Sequence, residues 1–127
     1  MAQSLMDLPL LIATSQSLVT EHGAKHWTRL RGDRIHLVDP ITGDPEDLIG
    51  HLLARLGVAI PTNLSTASVK KLWRRGIIEL SDDTYEYLLA LQDAQDDGCY
   101  WGEAALLAEL WMIDLTMPWN QKKQAVA

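Results

Sequence analysis

The sequence predicts an α+β fold that is mostly helical, with about five helices and one small antiparallel β-hairpin in a single compact domain. Three observations carry that expectation. Apolar residues recur at three- and four-residue spacing along most of the chain. Most of these runs open on Asp or Ser and close on Gly, and one stretch around Gly32 and Asp33 reads as two short strands about a tight turn. With 127 residues, 47% of them hydrophobic, the chain is long enough to bury one core without disulfides or a structural metal. We place the globular domain at 1–120 and a flexible C-terminal tail at 121–127.

Asp7 ahead of Leu8 and Pro9 is a helix start, because Asp accepts from first-turn amides that have no other partner and proline lacks the amide that would be left over. The helix runs to about His22, with Leu11, Leu18 and Val19 inward and Gly23 stopping it. Residues 27–31 and 34–38 form the hairpin, and Gly32 stands first in its two-residue loop, as a type II′ turn requires. Asp39 and Pro40 end it. The second helix opens at 43–47, with an Asp cap at Asp44, Pro45 in the first position and acids over the positive end of the dipole. Leu48, Leu52, Leu53 and Leu56 then repeat at helical spacing up to Gly57.

Ser65 caps a third helix that runs to Arg75 and ends at Gly76. Val69, Leu72 and Trp73 fall on one arc of it, and Lys70, Lys71, Arg74 and Arg75 share the other. Residues 77–80 read as a strand, the candidate third member of a small sheet with the hairpin. Ser81 caps a fourth helix, 82–95, with Tyr85, Leu88, Leu89 and Gln92 on one face and a turn at Asp96, Asp97 and Gly98 after it. The last helix, 102–117, is apolar nearly all round, a pattern that belongs at the centre of a core or at an interface.

The net charge of −6 is unevenly distributed. Residues 65–78 hold four bases and no acid, whereas 79–119 hold ten acids and no Lys, Arg or His. An acidic face suits a basic partner, and a basic helix suits a phosphate backbone. The aromatic residues are five Trp and three Tyr with no Phe, so every aromatic ring carries a polar handle that tolerates a half-buried position.

Catalytic and metal signals are weak. The lone Cys99 excludes an intramolecular disulfide and points to a reducing compartment. Its sequence neighbours include Asp97 and Glu103 and none of the bases that a nucleophilic cysteine uses. His22 and His26 have the four-residue spacing of a metal pair, but Gly23 breaks the helix between them and no third ligand stands at a motif position. There is no phosphate-binding glycine loop, nucleophile elbow or dinucleotide fingerprint. The chain is accordingly read as non-enzymatic, without cofactor or metal. With no basic leader ahead of an apolar segment and no apolar run of membrane length, it is read as cytoplasmic and not membrane-bound.

Residues 52–58 (Leu-Leu-Ala-Arg-Leu-Gly-Val) followed by 65–78 (Ser-Thr-Ala-Ser-Val-Lys-Lys-Leu-Trp-Arg-Arg-Gly-Ile-Ile) resemble the helix-turn-helix of excisionase-like and winged-helix DNA-binding proteins. The likeness covers roughly a quarter of the chain. Residues 59–64 stand where that family has a tight turn, and no second wing strand follows Leu80. The resemblance implies that Ser65, Thr66, Ser68, Lys70, Lys71, Arg74 and Arg75 face DNA, the bases on phosphates.

The leading expectation is a small protein-interaction module that binds and modulates another protein, as accessory proteins of phages, plasmids or toxin systems do. Its contact residues are Trp101, Trp111, Met112, Met117 and Trp119 in or beside the last helix, since Trp and Met are enriched in contact surfaces. A homodimer through that helix is the close variant. DNA binding through 65–75 is the alternative.

Overall fold

Helix α1 spans Leu8–His22 in the computed structural model, which describes residues 3–28, 30 and 32–118. It begins where the sequence places its start. Asp7 accepts from the Leu10 amide at 3.1 Å, Pro9 sits in the first turn, and Gly23, at φ 98°, ends the helix. Leu11 and Leu18 are buried beside Thr14 and Ser15, whose hydroxyls donate to carbonyls one turn back and so enter the core without an unpaired group.

Helix α2 spans Leu48–Arg55, and its cap is Asp47 rather than Asp44. Pro45 instead pairs with Val38 in an isolated antiparallel bridge, and the Asp44 carbonyl accepts from the Asp39 amide at 2.7 Å. The chain therefore reverses at 39–44, where Asp39 Oδ1 accepts from the Ile41 and Thr42 amides.

This reversal replaces the expected hairpin. Gly32 and Asp33 do form a turn, but no strand is assigned among the described residues of 27–38, and Arg29 and Arg31 lie outside the described residues. The backbone of Leu37 is committed elsewhere, its amide donating to Ser65 O at 2.6 Å and its carbonyl accepting from Glu46 N at 2.9 Å. The expected three-stranded sheet is also absent among the described residues. Strand β2, Ile78–Glu79, pairs in parallel with β1, Gln3–Ser4, a two-residue ladder between segments far apart in sequence.

Helix α3, Val69–Arg74, starts three residues later than expected, because Ser68 is its cap and accepts from Lys71 N at 3.1 Å. Residues Thr62–Leu64 form a 3₁₀ turn before it, and Ser65 is buried with its carbonyl held by Leu37. Helix α4, Asp82–Asp96, opens on Ser81 as predicted. Helices α2, α3 and α4 end alike. A glycine with positive φ (Gly57, Gly76 or Gly98) follows each, and the next amide reaches back to the carbonyl five residues earlier, as from Val58 to Leu53.

The centre of the fold is α4, which packs on α1, α2, α3 and on α5, Trp101–Thr116. Its inward side carries Thr84, Tyr87, Leu88, Leu91, Gln92 and Gln95; Tyr85 and Leu89, expected inward, are only half-buried. The two buried glutamines link α4 to the starts of other helices. Gln92 Oε1 accepts from Val69 N at 3.0 Å, and Gln95 Oε1 accepts from Leu48 N at 2.7 Å. Each thereby satisfies a first-turn amide of α3 or α2 that has no partner within its own helix. No helix among the described residues is long and apolar enough to cross a membrane. The expected tail at 121–127 lies outside the described residues.

Candidate functional site

Helix α5 separates its apolar residues by size. Ala104, Ala105 and Ala108 are buried where α5 meets α1 and α4, while Leu106, Leu107, Leu110, Trp111 and Ile113 are 57, 48, 50, 43 and 52% exposed. Small side chains let helices approach closely, so the bulk of α5 falls on its outer side. The helix is pinned from both neighbours, by Gln16 Nε2 donating to Glu109 Oε1 at 3.0 Å and by Trp111 Nε1 donating to Glu86 Oε2 at 3.2 Å. Helix α5 therefore lies at the edge of the core and not at its centre, with its larger apolar side chains facing outward.

Along the seam between α4 and α5 lie two shallow cavities of about 280 and 390 Å³ that share Glu86. The first is lined by Glu86, Leu89, Ala90 and Asp93 from α4 and by Leu107 and Trp111 from α5. The second continues toward Asp82, Met112 and Leu115. One rim is therefore acidic and the floor apolar.

A different set of rings surrounds Trp101. This indole is fully buried, donates from Nε1 to Thr28 Oγ1 at 2.7 Å, and lies 4.9, 4.4 and 5.4 Å from the rings of His22, His26 and His51. The chain turning at Gly23 brings His26 back over the end of α1, and His26 O accepts from Trp101 N at 2.9 Å. Burial holds the His51 imidazole below its ordinary range, and the nearby His22, His26 and Arg55 act in the same direction. Arg55 itself makes a bidentate pair with Glu21, at 2.9 and 2.6 Å, which joins α2 to α1. Among the described residues, no group of three or more His, Cys, Asp or Glu side chains is placed to hold a metal ion.

The sequence-predicted contact residues divide. Trp111 is exposed on α5, and Met112 and Met117 are half-buried. Trp101 is a core residue on the opposite side of the helix stripe, and Trp119 lies outside the described residues. Leu106, Leu107, Leu110 and Ile113 join Trp111 on the exposed side, outside the aromatic and methionine set expected from sequence, because helix direction and not residue type decides which apolar side chains face outward. The readable signal was the alanine arc at 104, 105 and 108, which marks the inward side.

In the basic segment, Lys70, Lys71, Arg74 and Arg75 are all exposed on or beside α3 and form no ion pair among the described residues. Thr66 is exposed, whereas Ser65 is buried and the Ser68 hydroxyl caps the helix. Trp73 packs on Tyr85 of α4, with ring centres 5.0 Å apart. Helix α3 has six residues, and residues 56–68 separate it from α2, a connection far longer than the three- or four-residue turn of a helix-turn-helix. No family model, curated protein or solved structure matches this chain.

Proposed function

We propose that the chain is a small non-enzymatic module that binds and modulates another protein through the outer face of α5, in the manner of phage, plasmid or toxin-system accessory proteins. The observation that carries this reading is the exposed stripe of Leu106, Leu107, Leu110, Trp111 and Ile113. Contiguous apolar surface of this kind marks an interaction site far more often than scattered apolar residues do. A tryptophan at its edge, with its N–H already satisfied by Glu86, suits an interface in which the ring is covered and the polar end stays paired. The single Cys99 supports a reducing compartment such as the cytosol.

The test compares the native chain with a Leu110→Ala/Trp111→Ala variant in pull-downs from native lysate and in light scattering. Both positions are only about half exposed, and Trp111 also bonds Glu86, so the variant is expected to keep its helical spectrum while losing about 2–3 kcal/mol of stability, and a thermal melt checks that it is folded at the assay temperature. It is expected to lose a partner, or the dimer, that the native chain retains. A monomeric native chain whose set of partners is the same in both forms overturns the proposal.

The second reading, duplex DNA binding through Lys70, Lys71, Arg74 and Arg75, is favoured by four exposed cations without an ion pair among the described residues. Phosphate contacts by these four predict binding that falls steeply with salt, by a slope of roughly −3 to −4 in log K against log salt. A variant with all four changed to Ala is expected to lose most of that affinity. Absence of any shift in a low-salt mobility assay removes the reading.

A further inference from the structure

We infer that the seam between α4 and α5 takes an amphipathic helix bearing lysines or arginines, supplied by another protein. The inference rests on the interaction reading above and names the partner's chemistry. Asp82, Glu86 and Asp93 stand on one side of α4, and they span about 16 Å at 1.5 Å per residue, roughly three turns of a helix laid alongside. Leu107 and Trp111, one turn apart on α5, supply the apolar floor next to that rim. An aliphatic stripe with three- and four-residue spacing fits such a floor, as in other helix-in-groove contacts.

Charge decides the occupant. Every charged residue of α4 and α5 is acidic, and α1 on the other side of α5 carries no Lys or Arg. A second copy meeting this face by a two-fold axis would set acidic rim against acidic rim, and like charges brought together at an interface cost several kcal/mol. Nucleic acid and anionic lipid are repelled for the same reason. The cations of α3 begin on the far side of Tyr85, where Lys70 and Arg74 line a separate cavity with Trp73. Attraction is thus strongest around Glu86 and Asp93, and the partner's cationic flank lies there.

The experiment is fluorescence anisotropy with a labelled peptide of about 18 residues, long enough to form a helix, having a Leu/Ile stripe at helical spacing and Lys on one flank. A scrambled peptide of equal composition and one with Glu in place of Lys are the comparisons, and the full chain is used. The Lys peptide is expected to bind at least about tenfold more tightly than either, and to weaken with salt. Glu86→Gln/Asp93→Asn is expected to reduce affinity about fivefold, consistent with two exposed charge pairs, and Leu107→Ala/Trp111→Ala to abolish it. Equal binding of the scrambled peptide, or of the Glu peptide, overturns the cationic-helix inference. If the Glu peptide binds and Leu107→Ala/Trp111→Ala abolishes that binding, the interaction reading survives. No peptide binding by a chain whose dimer is broken by Leu107→Ala/Trp111→Ala assigns the face to a second copy and likewise overturns the inference alone. No peptide binding, together with a monomeric chain and pull-downs that Leu110→Ala/Trp111→Ala leaves unchanged, removes both.

Discussion

Gly50→Ala is expected to destabilise the fold severely, although alanine in a helix interior normally adds up to about 1 kcal/mol over glycine. A Cβ at Gly50 would lie 1.8 Å from the backbone oxygen of Leu37 and 2.8 Å from its carbonyl carbon. Neither atom is free to withdraw. The Leu37 amide donates to Ser65 O and its carbonyl accepts from Glu46 N, so the segment is anchored on both sides of the contact. Separating α2 from this strap would also disturb Asp47, whose Oδ1 receives the Gly50 amide at 2.6 Å. Overpacking against side chains costs typically about 1–3 kcal/mol, and a clash with fixed backbone belongs at or beyond the upper end. At roughly 4 °C per kcal/mol for a domain of this size, the melting temperature is expected to fall by at least about 10 °C in a thermal melt. A variant that melts at or above the native temperature would show that α2 is not held against Leu37. Gly102→Ala, whose Cβ would meet Ala24 O at 2.7 Å, is expected to cost less, because it stands in the first turn of α5 against an exposed loop.

That clash was not legible in the sequence, although the helices around it largely were. Asp7, Ser81 and the glycines after α1, α2, α3 and α4 act on amides and carbonyls within a few residues, so their effect is written locally. The choice of Ser68 over Ser65, and of Asp47 over Asp44, is made elsewhere. Ser65 is drawn inward by the Leu37 amide, and Asp47 by Gln95, which lies 48 residues away. The same Leu37 contacts displaced the expected hairpin. For the candidate site, the apolar character of α5 was legible and its outward direction was not. Direction depended on α4, whose Tyr87, Leu88 and Leu91 fill the centre and leave only alanine-sized space for α5.

Asp47 sets the second large expectation, a stability that declines as pH rises. Its carboxyl is fully buried, and burial pushes its pKa up to about 7, against the pull of the bonds from the Gly50 amide and Gln95. Between the ordinary carboxylate range and pH 7 the folded chain therefore holds a proton that the unfolded chain has released. Unfolding then releases a proton, and the derivative of unfolding free energy with pH is negative. The stabilisation is fully present below about pH 4 and is lost as pH rises through 7; three pK units at about 1.4 kcal/mol each make the loss of order 4 kcal/mol. Asp96, also raised by burial, acts in the same direction, whereas His51, lowered by burial, acts oppositely below its ordinary range. Subtracting an Asp47→Asn variant removes the His51 contribution and the part of Asp96 that does not depend on the Asp47 charge; asparagine keeps an acceptor for the Gly50 amide and does not titrate. Chemical denaturation across pH 4–8 is expected to show the native chain losing several kcal/mol relative to that variant. A constant difference over this range would mean that burial does not raise the Asp47 carboxyl above the ordinary carboxylate range. Extending the titration down to about pH 2 separates the remaining case: a native chain that gains stability on the variant as pH rises from about 2 to 5 would mean that the two hydrogen bonds outweigh burial and hold Asp47 as a carboxylate, with Gln95 as the group that keeps it charged in the core.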